Sequence, residues 1–342
     1  MARAPAFWWR EPGLRSAALA LPALLYRTAA DRRLRAGATA QAAIPVLCVG
    51  NPTVGGAGKT PTALALAEAA LALGLRPGFL TRGHGGTAGR GAPHLVADGR
   101  DGAALIGDEP LLLAALAPTV VARDRGAGAA TLRAEGCDLA IMDDGFQSAR
   151  LHPDLALLVV DAHRALGNRR VLPAGPLRAS LDLQLERASA LLVAGEGEGT
   201  RAVEALGELA GRPVYRARSL APNGEAFRGL RCLAFSGIAD GEKFARALRG
   251  AGAEIVAEQR FPDHHPYTGE DARSLLQEAD SLGLALVTTA KDRARMTGAG
   301  PGPVRGLAMR ALVLEHRLEI GEDGARRLVD ETLRRFQARP RS

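Results

Sequence analysis

The amino-acid sequence predicts an α/β fold in which a mostly parallel sheet carries helices on both faces. From Ile44 onward, short apolar runs alternate with alanine- and leucine-rich segments of helical length, and this alternation is typical of parallel strands joined by helices. Uncharged runs such as Leu155–Val160 are what strands buried on both sides of a sheet require. With 47% hydrophobic and 24% charged residues among 342, the chain can bury a core, and disorder is not indicated.

Three regions are expected along the chain: an N-terminal helical segment (1–41), a core (42–211) and a smaller C-terminal α/β lobe (212–342). The lobe begins after a stretch rich in glycine and glutamate near 195–211, where the strand and helix pattern restarts. Predicted core elements are strands at 44–49, 78–81, 119–122, 139–142, 155–160 and 190–193, with a helix at 61–73. Predicted lobe elements are strands at 214–217, 231–235, 253–261 and 285–289, with helices at 241–249 and 269–282. The tail after Arg335 is expected to fray.

The N-terminal segment concentrates the positive charge of the chain. Seven arginines stand against two acidic residues up to Gln41, whereas the formal net charge of the whole chain is +7. The longest uncharged apolar run near the N-terminus, Ser16–Tyr26, is interrupted by Pro22 and is shorter than the ~20 residues that a membrane-spanning helix needs. Apolar and aromatic residues between Phe7 and Tyr26, flanked by arginines, are typical of a helix lying in a membrane surface.

Two other interpretations of this segment remain open. It could be a solvated basic helix, or a signal peptide, although Trp8, Trp9 and Glu11 make a poor start for one. The cysteines favour a reducing compartment, since three of them lie far apart along the chain and indicate neither a disulfide framework nor a zinc site.

A glycine-rich loop after the first predicted strand is the strongest functional signal. Its residues are Thr53, Val54, Gly55, Gly56, Ala57, Gly58, Lys59 and Thr60. A loop of this kind between a strand and a helix directs its N–H groups at nucleotide phosphates, with the lysine at the β- and γ-phosphates and the threonine hydroxyl on Mg²⁺. The sequence therefore predicts a P-loop NTPase-type sheet, with the difference that Thr53 replaces the usual first glycine.

Carboxylates occur at two further candidate positions, one after a predicted strand and one at a possible helix start. The run 139–142 ends in Asp143 and Asp144, and an aspartate at the end of an apolar strand lies beside Mg²⁺ in P-loop enzymes. Asp108 and Glu109 precede a proline, which is consistent with a helix start or with a carboxylate facing the phosphate site at the carboxyl edge of the sheet.

A histidine loop and three arginine-bearing loops complete the candidates. His264 lies in a Phe-Pro-Asp-His-His-Pro-Tyr run, which is either a surface loop or a loop that the smaller lobe carries to the nucleotide. The other loops carry Arg82, Arg123, Asn168 and Arg178. Arginine forks suit phosphate oxygens, so these loops are candidates for binding nucleotide phosphate or an anionic acceptor.

In combination, these motifs resemble the tetraacyldisaccharide 4′-kinase family, which phosphorylates a membrane-embedded disaccharide in lipid A biosynthesis. The resemblance runs from the N-terminal segment to Lys291-Asp292. Its segments are 50–61, 81–83, 107–110, 143–147, 172–178, 263–265 and 288–292. Thr81, His84 and Ala290 depart from the family pattern and leave only local loop details in doubt.

The resemblance implies ATP and Mg²⁺, a tetraacylated glucosamine disaccharide 1-phosphate as acceptor, and a product phosphorylated on the 4′-hydroxyl. It further implies that Asp108, paired with His264, is the base for the acceptor hydroxyl, with Lys59 also catalytic. Thr60 and Asp143 are the primary Mg²⁺ candidates, with Asp144, Glu109 and Gln147 close by. Because the acyl chains stay in the bilayer, the enzyme is expected at the cytoplasmic face of the inner membrane as a peripheral protein.

Other functions remain as alternatives to this one or are disfavoured by the residues. A P-loop switch or partitioning ATPase would use the basic segment to bind membrane or DNA, and a soluble small-molecule kinase would leave that segment unexplained. A GTPase is disfavoured because Lys291 and Asp292 are adjacent, without the residue that separates them in a guanine-binding motif. Nucleic-acid binding is not expected, since aromatic residues are 4% of the chain and the basic residues form no stripe beyond the N-terminus.

Overall fold

The computed structural model describes residues 4–37, 40–97, 100–148, 150–298, 300–321 and 323–340. The strands are β1 (Val46–Gly50), β2 (Pro77–Thr81), β3 (His94–Leu95), β4 (Thr119–Val121), β5 (Leu139–Asp143), β6 (Leu155–Asp161), β7 (Ala190–Ala194), β8 (Val214–Leu220), β9 (Arg231–Ser236), β10 (Glu254–Arg260), β11 (Ala285–Thr289), β12 (Leu312–Leu314) and β13 (Arg317–Ile320). The helices are α1 (Leu14–Ala18), α2 (Ala20–Arg35), α3 (Lys59–Ala72), α4 (Ala103–Ile106), α5 (Asp108–Ala114), α6 (Arg125–Ala134), α7 (Leu181–Arg187), α8 (Thr200–Leu209), α9 (Gly241–Gly250), α10 (Gly269–Leu282), α11 (Ala290–Thr297), α12 (Pro303–Arg310) and α13 (Gly324–Gln337).

A nine-stranded sheet forms the body of the protein, in the order β13-β8-β7-β6-β1-β5-β2-β4-β3. Neighbouring strands from β8 to β4 pair in parallel, while β13 and β3 add antiparallel edges. Strand β1 lies centrally between β5 and β6, so the loop that follows it opens at the middle of the carboxyl edge. The predicted α/β class, with a mostly parallel sheet, is confirmed.

Helices cover both faces of this sheet, as predicted. One apolar core joins the sheet to α3 and α13 through residues such as Leu66 and Leu328, and the other packs against α6 and α8 through residues such as Leu132 and Val203. Strands β1 and β5 are buried along their whole length, because side chains on both faces of a parallel sheet are covered.

A second, four-stranded parallel sheet, β10-β9-β11-β12, forms the smaller lobe with α9 to α12 around it. The arrangement differs from the predicted division at residue 212 in two places. Strand β8 continues the large sheet, and β13 with α13 returns to it at the end of the chain. The tail after Arg335 also differs from expectation, since α13 extends to Gln337 and Arg339 binds the buried Asp154.

The N-terminal segment forms a 3₁₀ turn at Ala6–Trp9 and then α1 and α2. Pro22 lies in the first turn of α2, where a missing N–H costs little. Leu14, Leu21, Leu24, Leu25 and Tyr26 are exposed, as expected of a surface helix, but Trp8 is only 9% exposed and packs against the body. Arg3, one of the seven arginines, lies outside the described residues. Among the residues that are described, no helix is both long and apolar enough to cross a membrane.

Candidate active site

The predicted phosphate loop connects β1 to α3. Gly55 and Gly58 have φ angles of 107° and 90°, a conformation that residues with a Cβ rarely adopt. Their turn lets α3 begin at Lys59, whose Nζ donates to Asn51 Oδ1 at 3.1 Å. Backbone N–H groups at such a helix start form a binding site for phosphate.

A neighbouring loop, residues 170–178, holds the phosphate loop from the side. The Val54 N–H donates to the Pro176 carbonyl at 2.9 Å. Arg178 donates from Nε to the Thr53 carbonyl at 3.1 Å and from Nη1 to Asp144 Oδ1 at 2.9 Å. Arg178 is therefore bound to the phosphate loop and to the carboxylate behind it.

A divalent cation would fit between the start of α3 and the end of β5. Thr60 Oγ1 donates to Asp143 Oδ2 at 3.1 Å, whereas Asp143 Oδ1 is buried and accepts no hydrogen bond from the described residues. Burial, together with the charge of Glu109, raises the pKa of Asp143 to about 7. Mg²⁺ characteristically takes one or two carboxylates and completes its shell with nucleotide phosphates and water, which the free oxygen and the hydroxyl suit.

The other three predicted Mg²⁺ ligands make protein contacts. Asp144 accepts a hydrogen bond from Arg178, and Glu109 accepts one from Lys291 Nζ at 2.7 Å. Gln147 donates its side-chain amide at 3.0 Å to the main-chain carbonyl just after β1. Among the residues that the structure describes, no group of three or more His, Cys, Asp or Glu side chains could hold a metal by itself.

Asp108 lies where the smaller lobe meets the sheet. Its Oδ2 is 3.4 Å from His264 Nδ1, and it accepts Arg295 Nε at 2.9 Å and Arg295 Nη2 at 2.7 Å. Burial alone would raise the pKa of Asp108, but the hydrogen bond from His264 and the charges of Arg295 and Lys291 outweigh burial and hold it well below its usual range. The contact with Asp108 raises the pKa of His264.

Two more ion pairs join the smaller lobe to the body beside the phosphate loop. Lys243 Nζ lies 3.0 Å from Asp161 Oδ2, and Arg164 Nη2 lies 2.7 Å from Asp240 Oδ2. The Arg164 guanidinium also stacks over the ring of Trp9, at 5.0 Å from its centroid. The N-terminal segment, the body and the smaller lobe therefore meet at this point.

The remaining candidate residues occupy different environments. Arg82 and Arg123 are exposed, on loops that follow β2 and β4 at the carboxyl edge. Asn168 is buried: its Nδ2 donates to the Ala174 carbonyl at 2.9 Å, and its own N–H donates to the Trp8 carbonyl at 2.7 Å. Asn168 thus shapes its loop and binds the N-terminal segment to it.

Sequence reasoning missed two arginines at the site. Arg295 carried no signal because its partner Asp108 is 187 positions away. Arg125, at the start of α6, is buried, and its Nη1 has no hydrogen-bond partner within the described part of the chain. Burial lowers its pKa to about 10 despite the nearby Cys48 and Asp144. Asp124 caps the same helix, so the sequence alone marks a helix start and not a buried cation.

The site combines a phosphate loop, an aspartate at the end of the adjacent strand and an acid on the facing helix, all at one edge of the sheet. This combination is characteristic of the P-loop phosphotransferases. Comparison with known proteins narrows this class. The profile of the tetraacyldisaccharide-1-phosphate 4′-kinase (LpxK) family matches residues 15–334. Tetraacyldisaccharide 4′-kinase from Allorhizobium ampelinum is 47% identical over 341 residues, covering 98% of both chains, and the Brucella suis enzyme is 46% identical over 337 residues, again covering 98% of both.

The fold agrees with these sequence matches. A crystal structure of LpxK from Aquifex aeolicus, in complex with ATP, aligns with a TM-score of 0.70 and 24% identity, covering 93% of this chain and 99% of that one. The chain belongs to the tetraacyldisaccharide-1-phosphate 4′-kinase family. It is a kinase of lipid A biosynthesis that phosphorylates the disaccharide precursor.

Proposed function

We propose that the chain transfers the γ-phosphoryl group of ATP to the 4′-hydroxyl of a tetraacylated glucosamine disaccharide 1-phosphate, at the cytoplasmic face of the inner membrane. The observation that carries the site assignment is the position of α5. Helix α5 packs beside α3, with Leu113 in the core that they share on one face of the sheet, so the acidic start of α5 lies on the same face as Thr60. A nucleotide on the phosphate loop would therefore present its terminal phosphate towards Asp108.

The donor side binds and orients ATP. Backbone N–H groups of the phosphate loop receive the phosphates, except that of Val54, which donates to the Pro176 carbonyl, and Lys59 contacts the β- and γ-phosphoryl oxygens. Thr60 and Asp143 would hold Mg²⁺, with Asp144, Glu109 and Gln147 around it, and the ion would neutralise charge on the phosphates. Arg178 keeps the loop in the receiving conformation through Thr53.

The acceptor side orients the sugar hydroxyl. Asp108 is ionised at neutral pH and accepts a hydrogen bond from the 4′-hydroxyl, while His264 contacts the same carboxylate. A carboxylate with a lowered pKa is a weak base, but phosphoryl transfer through a loose transition state depends mainly on position and charge neutralisation. The proton is lost to the carboxylate late in the transfer.

Loops at the carboxyl edge supply the remaining contacts. Arg82 and Arg123 are exposed at this edge, where their guanidinium groups can bind anionic groups of the acceptor or the nucleotide. Asn168 and Arg178, which bind their own loop and the phosphate loop, contribute by keeping that wall of the site in place.

The exposed apolar face of α1 and α2 is the proposed membrane surface. Leu14 is 91% exposed, Leu21 69% and Leu25 67%, and arginines border them along α2. Partial insertion of such a face removes apolar side chains from water while the arginines meet anionic lipid. An enzyme held in this way reaches a hydroxyl whose acyl chains remain in the bilayer.

A phosphotransfer assay tests the proposal, using ATP, Mg²⁺ and the acylated disaccharide in mixed micelles. We expect acceptor-dependent transfer to the 4′ position and a loss of at least ~10²-fold in kcat for Asp108→Ala. Slow hydrolysis that ignores the acceptor would instead favour a P-loop switch. Near-normal turnover of Asp108→Ala would show that Asp108 begins helix α5 but takes no part in catalysis.

A further inference from the structure

The Asp108 carboxylate has a second partner besides the histidine. Arg295 reaches it from α11 in the smaller lobe and donates from both Nε (2.9 Å) and Nη2 (2.7 Å) to the single oxygen Oδ2. The two side chains are only 3% and 6% exposed. The two N–H bonds from one planar guanidinium converge on this oxygen and fix its position more closely than a point charge would.

Arg295 is itself fixed by the smaller lobe. Its Nη1 donates at 2.7 Å to Asp292 Oδ1 and at 2.7 Å to the Gly237 carbonyl. Asp292 is fully buried and also accepts the Tyr267 hydroxyl at 2.9 Å and the Thr289 hydroxyl at 2.6 Å. The guanidinium is therefore part of a rigid hydrogen-bonded network, and its position follows that of the lobe.

The acceptor capacity of Asp108 shows which oxygen remains available. A carboxylate has about four lone-pair positions, two on each oxygen. Oδ2 already accepts two N–H groups of Arg295 and faces His264 Nδ1 at 3.4 Å, whereas Oδ1 accepts the Glu109 N–H at 3.1 Å. Among the residues that the structure describes, no second group donates to Oδ1, so one of its positions can receive a further donor.

We propose that Arg295 is a positioning residue for phosphoryl transfer: its fork fixes the Asp108 carboxylate so that Oδ1 receives the hydroxyl of the acceptor. This rests on the proposed role of Asp108. Arg295 touches neither nucleotide nor acceptor and acts through the carboxylate. Because it belongs to the smaller lobe, the base is oriented only while that lobe is docked on the sheet.

A merely structural ion pair would give different kinetics from a positioning one. Loss of positioning lowers kcat and leaves KM for ATP nearly unchanged, since the phosphate loop is untouched. A misplaced base costs up to ~10²-fold in rate. Lysine at this position keeps the charge but cannot make the fork, so Arg295→Lys should fold and still be slow.

The experiment measures kcat and KM with ATP, Mg²⁺ and the disaccharide in mixed micelles, together with thermal unfolding, for Arg295→Gln, Arg295→Lys, Asp108→Asn and the double variant Asp108→Asn/Arg295→Gln. The control is Arg293→Gln, on the same helix, where Nη1 donates to the Ala311 carbonyl (3.0 Å). We expect kcat to fall ~10²-fold in Arg295→Gln and at least ~10-fold in Arg295→Lys, with KM for ATP within ~2-fold. The double variant should be no slower than Asp108→Asn.

Each opposing result has a distinct meaning. If Arg295→Gln slows the Asp108→Asn enzyme by the same factor as the wild type, the two residues act independently and the inference is wrong. Full activity of Arg295→Lys would also overturn it, since the fork would not be needed. Normal turnover of Asp108→Asn would instead refute the proposed role of Asp108, on which the inference rests.

Discussion

Replacing Arg339 by alanine should destabilise the whole protein, although Arg339 lies next to the end of the chain. Its guanidinium donates to both oxygens of Asp154, at 2.6 and 2.7 Å, and to the Ala42 carbonyl at 2.8 Å. Asp154 in turn accepts the Val46 N–H of β1 at 2.8 Å, and its side chain is only 1% exposed. The last described residues are thus tied to the central strand of the sheet.

The size of the effect follows from the burial of Asp154. Removing one partner of a buried ion pair leaves the other charge unpaired, at a cost of about 3–5 kcal/mol. Burial already raises the pKa of Asp154, because the Val46 N–H and the Arg339 charge offset the burial only in part. Without Arg339, the pKa should rise further. A group whose pKa is raised on folding contributes to the free energy of unfolding. That contribution is present in full below the unfolded pKa, about 3.9 for Asp, and is lost as the pH rises through the folded pKa. The penalty of Arg339→Ala should therefore be larger at pH 8 than at pH 5.

Urea unfolding followed by circular dichroism at both pH values measures this penalty. Arg334→Ala is the matched control, since Arg334 is 71% exposed and its ion pair with Glu331 should be worth at most about 1 kcal/mol. The reasoning is refuted if Arg339→Ala unfolds within about 1 kcal/mol of the control at pH 8, or if its penalty is larger at pH 5.

The remaining predictions concern the site and the membrane. Lys59→Ala should lower kcat by at least ~10²-fold, because a preorganised charge at the transferring phosphoryl group is lost. A smaller loss in single-turnover assays would show that Lys59 is not a catalytic residue. Asp143→Asn should raise the Mg²⁺ concentration for half-maximal rate by at least ~10-fold, and an unchanged Mg²⁺ titration would assign the ion to other ligands. Changing Leu21 and Leu25 together to glutamate should weaken co-sedimentation with anionic vesicles by at least ~10-fold, given ~1.5–3 kcal/mol for each buried leucine. Leu209→Glu, at a still more exposed leucine of α8, should not weaken it. Equal sedimentation of both variants would argue against the membrane surface.

Sequence reasoning succeeded where local patterns determine the structure. Strands β1, β5 and β6 begin and end within two residues of prediction, since strands covered on both faces are continuous apolar runs bounded by turns. The phosphate loop and the Thr60–Asp143 pair were also accessible, because a loop after one central strand and an aspartate ending its neighbour must meet at the same edge.

It failed where the structure depends on contacts between distant segments. Strand β13 has only four residues, and its place in the large sheet comes from antiparallel pairing with β8, which no local pattern encodes. Trp8 reads as a membrane-interface aromatic, yet its Nε1 donates to the Pro173 carbonyl at 3.0 Å. Arg295 looks like any other arginine of a charged helix until the fold places it against Asp108.

The return of β13 and α13 to the large sheet determines when the protein can finish folding during synthesis. The smaller lobe is inserted between β8 and β13, so a ribosome completes the lobe before it releases the strand that closes the body. Leu318 and Leu328 fill the core beneath α3, and Leu318 also lies against Gly58, 3.3 Å from where a Cβ would be. A nascent chain lacking its last thirty residues thus has an incomplete wall behind the nucleotide loop, and truncation from the C-terminus should cost ATP binding before it removes any residue of the site.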